Sequence, residues 1–443
     1  MKYSSKKVYI WSMERLLYRE LLVWKASKHR KPLILNGARQ VGKTWLLKEF
    51  GQREYESVAY INCEKAENLD DVFENFDTHR LVRSLSALSG VDILPGKTLL
   101  ILDEIQEFPR ALTSLKYFCE DAPEYHVVVA GSLLGIALHA GVSFPVGKVD
   151  FLKLYPLTFE EFLLASKKDL AAEALNKKDW DTLKSLSALF VELLRQYYYV
   201  GGMPAVVSAF LEGSGPAEVR KIQKQILADY ENDFSKHAPP HEHARIKMIW
   251  DSIPRQLSKE NKKFLYSALK KGERASKYEL ALQWLLDAGL VYKIPRISKV
   301  QMPIRFYEEP SVYKLFVLDV GLLGAQMDVS AEKVLIGEKI FSEYSGAFAE
   351  EYVLTQLMAM EKLVRYYSTN DSQVELDFVV QTNDRVIPVE VKAEENVRSK
   401  SLRTFIERNS DLMGLRFSMK PYINQQWIEN VPLFAVQGYF KDN

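Results

Sequence analysis

Cysteine is scarce in this chain of 443 residues: there are two, Cys63 and Cys119. Neither sits at a spacing that serves a metal site or a dithiol redox pair, and a reducing compartment fits. Both read as small core residues. An excess of one charge is also missing. With 59 Lys/Arg against 58 Asp/Glu the formal net charge is +1. That excludes a globally basic nucleic-acid binder and leaves room only for a local basic patch. No uninterrupted apolar run reaches the length of a membrane span. Lys2, Lys6 and Lys7 are not followed by the apolar stretch of a secretory signal. A cytoplasmic location without membrane contact is therefore expected. What the chain has is ample core, 47% hydrophobic against 26% charged residues. Its length suits about three domains.

The most informative stretch is residues 33–44, LILNGARQVGKT. The apolar run Leu33 to Leu35 feeds into Gly37-Ala38-Arg39-Gln40-Val41-Gly42-Lys43-Thr44, and the helical pattern WLLKEF follows at once. This is G-x-x-x-x-G-K-[ST] between a strand and a helix, the context in which a loop cradles phosphates. Gly37 and Gly42 let the backbone turn tightly and approach a phosphate closely. Successive N–H groups and the positive helix end would face the phosphates. Lys43 adds a charge, and the Thr44 hydroxyl can ligate Mg²⁺. ATP and Mg²⁺ are the cofactors this predicts.

The flanking pattern agrees. Further apolar runs, VAYINC (58–63), TLLILDE (98–104) and HVVVAGS (126–132), alternate with helical stretches at about 67–88 and 109–121. Strands that are apolar throughout, alternating with helices, predict a parallel sheet covered on both faces. Asp103 and Glu104 end the third of these strands. Two carboxylates there are expensive to bury unless they act. Asp103 is expected to complete the Mg²⁺ site and Glu104 to orient and deprotonate the attacking water. Ser132, closing the next strand, is a candidate γ-phosphate sensor. Arg39, Arg80, Arg83, Arg110 and Lys148 read as structural or solvated, and no arginine finger is assigned.

From Tyr155 to about Asp233 the pattern turns helical and reads as a lid, broken at Gly201-Gly202-Met203-Pro204. The aromatic run Tyr197–Tyr199 reads as helix packing. His237, His241 and His243, around a double proline, read as linker residues and not as metal ligands. Residues 246–294 carry three helical patterns and a short strand, the winged-helix plan. Between Arg255 and Glu279 there are eight Lys/Arg and three acids, a local excess of +5 that could meet nucleic-acid phosphates.

The last part reads as helix (341–360), strands (VRYYS, VELDFVV, RVIPVEVKA) and helix (SKSLRTFIERN). Period-two alternation places Val374, Leu376, Phe378 and Val380 on one face of a strand and Glu375 and Asp377 on the other. In the next strand Ile387, Val389 and Val391 share a face, opposite Glu390 and Lys392. With Glu350 and Glu351 on the preceding helix, this is the layout of a metal-dependent phosphodiesterase. Asp377 and Glu390 would be metal ligands and Lys392 would position the water. A salt-bridged pair of strands is the plain alternative.

Taken together, KPLILNGARQVGKT, ILDEIQEFP, VVVAGS, YPLTFEEFL, GGMPAVV, the stretch from IPRQLSKEN to LVYKI, LDVGLL and ELDFVV…PVEVKA resemble, in order, a bacterial and archaeal family of AAA-type ATPases fused to a C-terminal domain of unknown function. The resemblance implies an α/β fold: an ASCE-type P-loop NTPase sheet with a helical lid, then a winged helix, then a small restriction-endonuclease-like α/β domain. The divisions expected are 1–155, 156–235, 236–335 and 336–443. It implies Lys43, Thr44, Asp103 and Glu104 as ATPase residues and Asp377, Glu390 and Lys392 as nuclease-like ones. Many relatives carry an arginine before YPL where this chain has Gly147-Lys148, and lysine does not reproduce a bidentate guanidinium contact. The activity expected is Mg²⁺-dependent ATP hydrolysis by a switch or motor. Its partners would be DNA or a protein client, and a second copy of the chain. An ATP-gated nuclease and a nucleotide-binding interaction module without turnover are the alternatives.

Overall fold

The computed structural model describes residues 13–67, 69–132, 145–259, 262–272, 274–336, 342–369, 371, 373–393 and 400–441. Lys2, Lys6 and Lys7, and the acids Glu260 and Glu273 of the basic run, lie outside the described residues. Helix α1 (Tyr18–Ala26) leads to β1 (Leu33–Asn36), and α2 (Lys43–Glu54) starts directly after the glycine-rich loop. There follow β2 (Ser57–Asn62), α3 (Leu69–Val72), α4 (Thr78–Ser89), β3 (Thr98–Asp103), α5 (Pro109–Asp121), β4 (His126–Ala130) and β5 (Asp150–Lys153). These five strands pair in parallel in the order β2-β3-β4-β1-β5.

The reason for the unbroken apolar runs is visible on β3. Leu99 and Ile101 pack toward α1 and α2, while Leu100 and Leu102 pack toward α4 and α5. A strand covered on both faces has no polar side. Two sequence expectations need correction here. The helix expected over 67–88 is two, because Asp77 leaves helical geometry and caps α4 by accepting from the Arg80 N–H at 2.7 Å. The strand expected over 126–132 ends at Ala130, which leaves Ser132 in the turn beyond it.

The stretch expected as a lid folds into α6 (Phe159–Ala165), α7 (Asp169–Asn176), α8 (Trp180–Ser185), α9 (Ser187–Val200), α10 (Pro204–Leu211) and α11 (Pro216–His237). Tyr197, Tyr198 and Tyr199 are buried as expected, and Tyr197 donates to the Leu157 carbonyl at 2.5 Å. His237 closes α11 and His243 opens α12 (His243–Leu257), so of the three histidines His241 alone lies in the connection. Where three helical patterns were expected, α12 and α13 (Glu279–Asp287) form. The middle pattern folds as two 3₁₀ turns, Tyr266–Ala268 and Ala275–Lys277.

Strands β6 (Val291–Ile297) and β7 (Glu308–Val317) form an antiparallel hairpin. They are followed by α14 (Val320–Gln326), α15 (Ala331–Ile336) and α16 (Ser342–Ala359). Then come β8 (Leu363–Ser368), β9 (Glu375–Gln381), β10 (Val386–Val391), α17 (Lys400–Arg408), β11 (Gly414–Ser418), β12 (Ile423–Asn424), β13 (Ile428–Pro432) and α18 (Val436–Phe440). The hairpin is continuous with the C-terminal sheet, because β6 pairs in parallel with β8. One mixed sheet of eight strands results, in the order β12-β13-β11-β10-β9-β8-β6-β7. Among the described residues no helix is long and apolar enough to cross a membrane.

Candidate functional site

The site lies at the carboxyl ends of β1, β3 and β4, the edge of an open parallel sheet where ligands bind. After β1, Asn36 turns its side chain back to accept the Gly37 N–H at 2.7 Å. Gly37, Gln40 and Gly42 all take positive φ (151°, 66° and 97°), which curls the loop over the start of α2. Gly37 tolerates nothing larger: a Cβ there would sit 2.3 Å from the Leu154 carbonyl oxygen. Lys43 is buried and folds back along the loop, donating at 2.8 Å to both the Gly37 and Ala38 carbonyls. Burial pulls its ammonium down to about 8, against the opposing charges of Glu104 and Asp103.

Thr44 and Asp103 meet across the strand ends, the Thr44 hydroxyl donating to Asp103 Oδ2 at 2.7 Å. Asp103 is buried, and the same oxygen accepts from the Tyr60 hydroxyl at 2.9 Å. Burial and this bond push the Tyr60 phenol up to about 12. Glu104 takes the left-handed conformation (φ 51°, ψ 44°) just past β3, and its carboxylate accepts from Gln106 Nε2 at 2.7 Å. Ser132 is buried at the same edge, two residues beyond Ala130, which pairs with Leu35 of β1. Thr44 and Asp103 are a hydroxyl and a carboxylate in contact, a donor set that suits Mg²⁺.

Arg15 is a residue that sequence reasoning missed. Buried at 6% exposure, it donates to the Val41 carbonyl at 2.9 Å and the Tyr155 carbonyl at 2.6 Å, and pairs with Glu161 at 3.0 Å. It thereby supports the loop from behind. No local signal marks it, although Thr158-x-x-Glu161 has the spacing of the capping box that orients its partner. The other arginines are placed elsewhere. Arg80 reaches Glu74 and Arg110 donates to the Glu74 carbonyl, while Arg83 is exposed. Lys148 pairs with Glu120 at 2.9 Å.

The C-terminal residues also converge, but not as the alternation implied. Val374, Leu376 and Val379 pack under α17, whereas Phe378 and Val380 pack on the opposite side of the sheet. The cause is a bulge. Arg365 pairs with Val379 and Tyr367 with Leu376, so β9 holds one residue more than β8 over this span and its faces exchange. Asp377 falls in the bulge, and its Oδ2 accepts the Val391 N–H at 2.7 Å. Lys392 pairs with the buried Glu390 at 3.0 Å. Two lysines from earlier in the chain enter the same cluster: Lys314 of β7 lies 2.6 Å from Glu375 and 4.0 Å from Glu350, and Lys262 pairs with Glu350. Burial and the Glu350 charge lift Asp377 to about 7, while Lys262 and Lys314 outweigh burial and hold Glu350 below its usual range. Burial holds Glu351, on the same helix, well above it. Among the described residues no group of three or more His, Cys, Asp or Glu side chains is placed to hold a metal ion.

A five-stranded parallel sheet with this loop at its carboxyl edge is a P-loop NTPase fold. Residues 29–163, which include the loop and Asp103, match the family profile described as an AAA domain. Residues 191–333 and 345–434 match two families described as domains of unknown function, DUF8612 and DUF4143. Among curated proteins none matches the chain. Solved structures similar to it include a Walker-type ATPase of Pyrococcus abyssi, at 14% identity and a TM-score of 0.45, over 71% of this chain and 96% of that one. Others are the ORC1 protein of Aeropyrum pernix in complex with DNA, at 15% identity and a TM-score of 0.26 over 71% and 90%, and a RuvB variant of Thermotoga maritima, at 16% and 0.27 over 63% and 89%.

Proposed function

We propose that this chain is a Mg²⁺-dependent ATPase that works as a nucleotide-driven switch or motor. The observation that carries this is the Thr44–Asp103 contact of 2.7 Å beside a buried Lys43, with Glu104 at the adjoining strand end. In this reading Thr44 and Asp103 hold the Mg²⁺ that accompanies ATP and offsets its phosphate charge. Lys43 leaves the Gly37 and Ala38 carbonyls for the phosphates. The backbone N–H groups of residues 38–44 cradle those phosphates. Glu104 accepts the proton of the attacking water, and Gln106 orients its carboxylate. Ser132, buried just beyond β4, senses the γ-phosphate. A cavity of about 480 Å³ beside the first turn of α2, walled by Trp45, Leu46 and Leu164 and by charged side chains such as Arg15, Glu49 and Glu160, is where this reading puts the base.

The test is ATP turnover by the wild type and Glu104→Gln. A fall of roughly 10²–10⁴-fold with ATP binding retained is expected on removal of a general base. Equal turnover in both would overturn the role of Glu104. Binding without turnover in the wild type would leave the interaction-module reading in its place.

The client we propose is DNA or a protein, met by the basic run 255–279. Duplex DNA that raises turnover would select DNA; indifference to it would select a protein. The cytoplasmic location expected from the sequence belongs to the same proposal. The C-terminal acids are already paired with Lys262, Lys314 and Lys392. That supports a structural cluster over a metal-dependent nuclease.

A further inference from the structure

The tip of the glycine-rich loop is held by the lid. Arg39 pairs with Asp233 of α11, Gln40 Nε2 donates to Asp229 Oδ2 at 2.8 Å, and the Tyr230 hydroxyl donates to the Arg39 carbonyl at 2.9 Å. Residues 229, 230 and 233 stand on adjacent turns of one helix face, so a single face of α11 grips two successive loop residues. Gln40 sits at φ +66°, uncommon for a side-chain-bearing residue, and these bonds hold it there. The grip is asymmetric. The Asp233 side chain is 7% exposed and fixed in the lid core, whereas the Arg39 side chain is 43% exposed.

Arg39 also belongs to the field of the phosphate cradle, because its charge is among those that lower the proton affinity of Lys43. A guanidinium prefers a polyphosphate to a single carboxylate, for it can bond two phosphate oxygens in its own plane. Burial holds the Asp233 carboxyl above its ordinary range even with Arg39 beside it, so the carboxyl can take up a proton when Arg39 leaves.

We propose that Arg39 is a phosphate-binding residue that changes partner, from Asp233 in the nucleotide-free chain to the phosphates of bound ATP, so that α11 reads the occupancy of the loop. The inference rests on the ATP reading above. Its consequence for the lid follows from packing. Tyr230 and Phe234 of α11 meet Trp250 of α12 edge to face, at ring separations of 6.4 and 6.1 Å. Release of the Arg39 anchor thus acts on the helix that leads into the basic run.

The experiment is fluorescent-ATP and fluorescent-ADP binding by the wild type, Arg39→Ala, Asp233→Asn and Lys43→Ala, with hydrogen exchange of α11 in the absence and presence of nucleotide. Arg39→Ala should weaken ATP by roughly tenfold or more, the loss of a charged hydrogen-bond donor, and ADP by less. Asp233→Asn removes the competitor and should tighten ATP several-fold. Exchange along α11 should rise on ATP binding in the wild type and stay constant in Arg39→Ala. Opposite signs for the two substitutions are what a purely structural pair cannot give. If both variants weaken ATP and ADP alike, the partner change is wrong while the ATP site stands. If the wild type and Lys43→Ala bind equally poorly, the ATP reading itself fails and this proposal fails with it.

Discussion

Arg15 and Glu161 are 146 residues apart in the chain and form an ion pair of 3.0 Å, each side chain less than 5% exposed. The pair closes three elements on one another. Arg15 also bonds the loop at Val41 and the strand exit at Tyr155, while Glu161 caps its own helix by accepting the Thr158 N–H at 2.9 Å and separately accepts the Leu16 N–H at 2.7 Å. Breaking a buried pair from one side strands the other charge. Arg15→Met is expected to cost about 3–5 kcal/mol in urea denaturation. The double substitution with Glu161→Leu should recover a large part of that, less about 1 kcal/mol for the lost cap. Additive losses in the double variant would show that the two residues act separately.

Lys43 gives the proposed ATP site a pH dependence with a definite sign. Its nucleotide-free ammonium is lowered by burial to about 8, so it is uncharged above that pH. Bound phosphates require the charged form. ATP binding should therefore take up a proton near and above pH 8, and affinity should fall by roughly tenfold per pH unit above it, up to the ordinary lysine range. Titration calorimetry in two buffers of different ionisation enthalpy measures that proton directly. Affinity that is flat from pH 7 to 9 would contradict a depressed Lys43.

How much of this was legible in sequence follows from which interactions are local. The loop, Thr44, Asp103 and Glu104 were legible because strand, turn and helix are each written in consecutive residues. The faces of β9 were not, because the bulge at Asp377 arises from pairing with β8 and period-two alternation carries no trace of it. Asp229 and Asp233 look like solvated charges on an amphipathic helix, and only the fold places Arg39 opposite them. Lys262 was counted toward the basic run 255–279, and Lys314 carried no sequence signal. The structure folds both into an acid cluster, which removes Lys262 from the surface charge available to a partner.

The glycine pair at the helix break answers to a distant acid. Asp319 caps α14 by accepting the Leu322 N–H at 2.9 Å and reaches across to accept the Gly202 N–H at 2.6 Å. A Cβ on Gly201 would lie 2.2 Å from Asp319 Oδ1, and one on Gly202 would lie 2.1 Å from the Leu157 carbonyl oxygen. Both acid oxygens are in use, so an asparagine must turn its NH₂ toward an N–H. Asp319→Asn should cost about 1–3 kcal/mol for the unsatisfied donor, and Gly202→Ala should cost more by forcing the backbone apart. Chemical denaturation of the two variants checks both the size and the order.

The lysines of the C-terminal cluster decide between a closed ionic core and a metal site. Lys314 is 1% exposed and sits between Glu350 and Glu375, the position in which a cation best offsets both. Their carboxylates hold its ammonium above the ordinary lysine range in spite of burial. Lys314→Met should therefore destabilise the chain by about 3–5 kcal/mol, since Glu350 and Asp377 lose their shared counter-charge. The same argument sets the metal response. Without nucleotide, wild-type melting should move with added Mg²⁺ or Mn²⁺ no further than that of Asp377→Ala, because the internal ammonium groups already fill the role. Lys314→Met should gain a divalent-cation dependence, as Glu350, Glu375 and Asp377 are left to seek a new positive partner. DNA cleavage that requires Mg²⁺ in the wild type and disappears in Asp377→Ala or Lys392→Ala would overturn the closed-core reading. It would show instead that Lys314 shares the cluster with a catalytic metal.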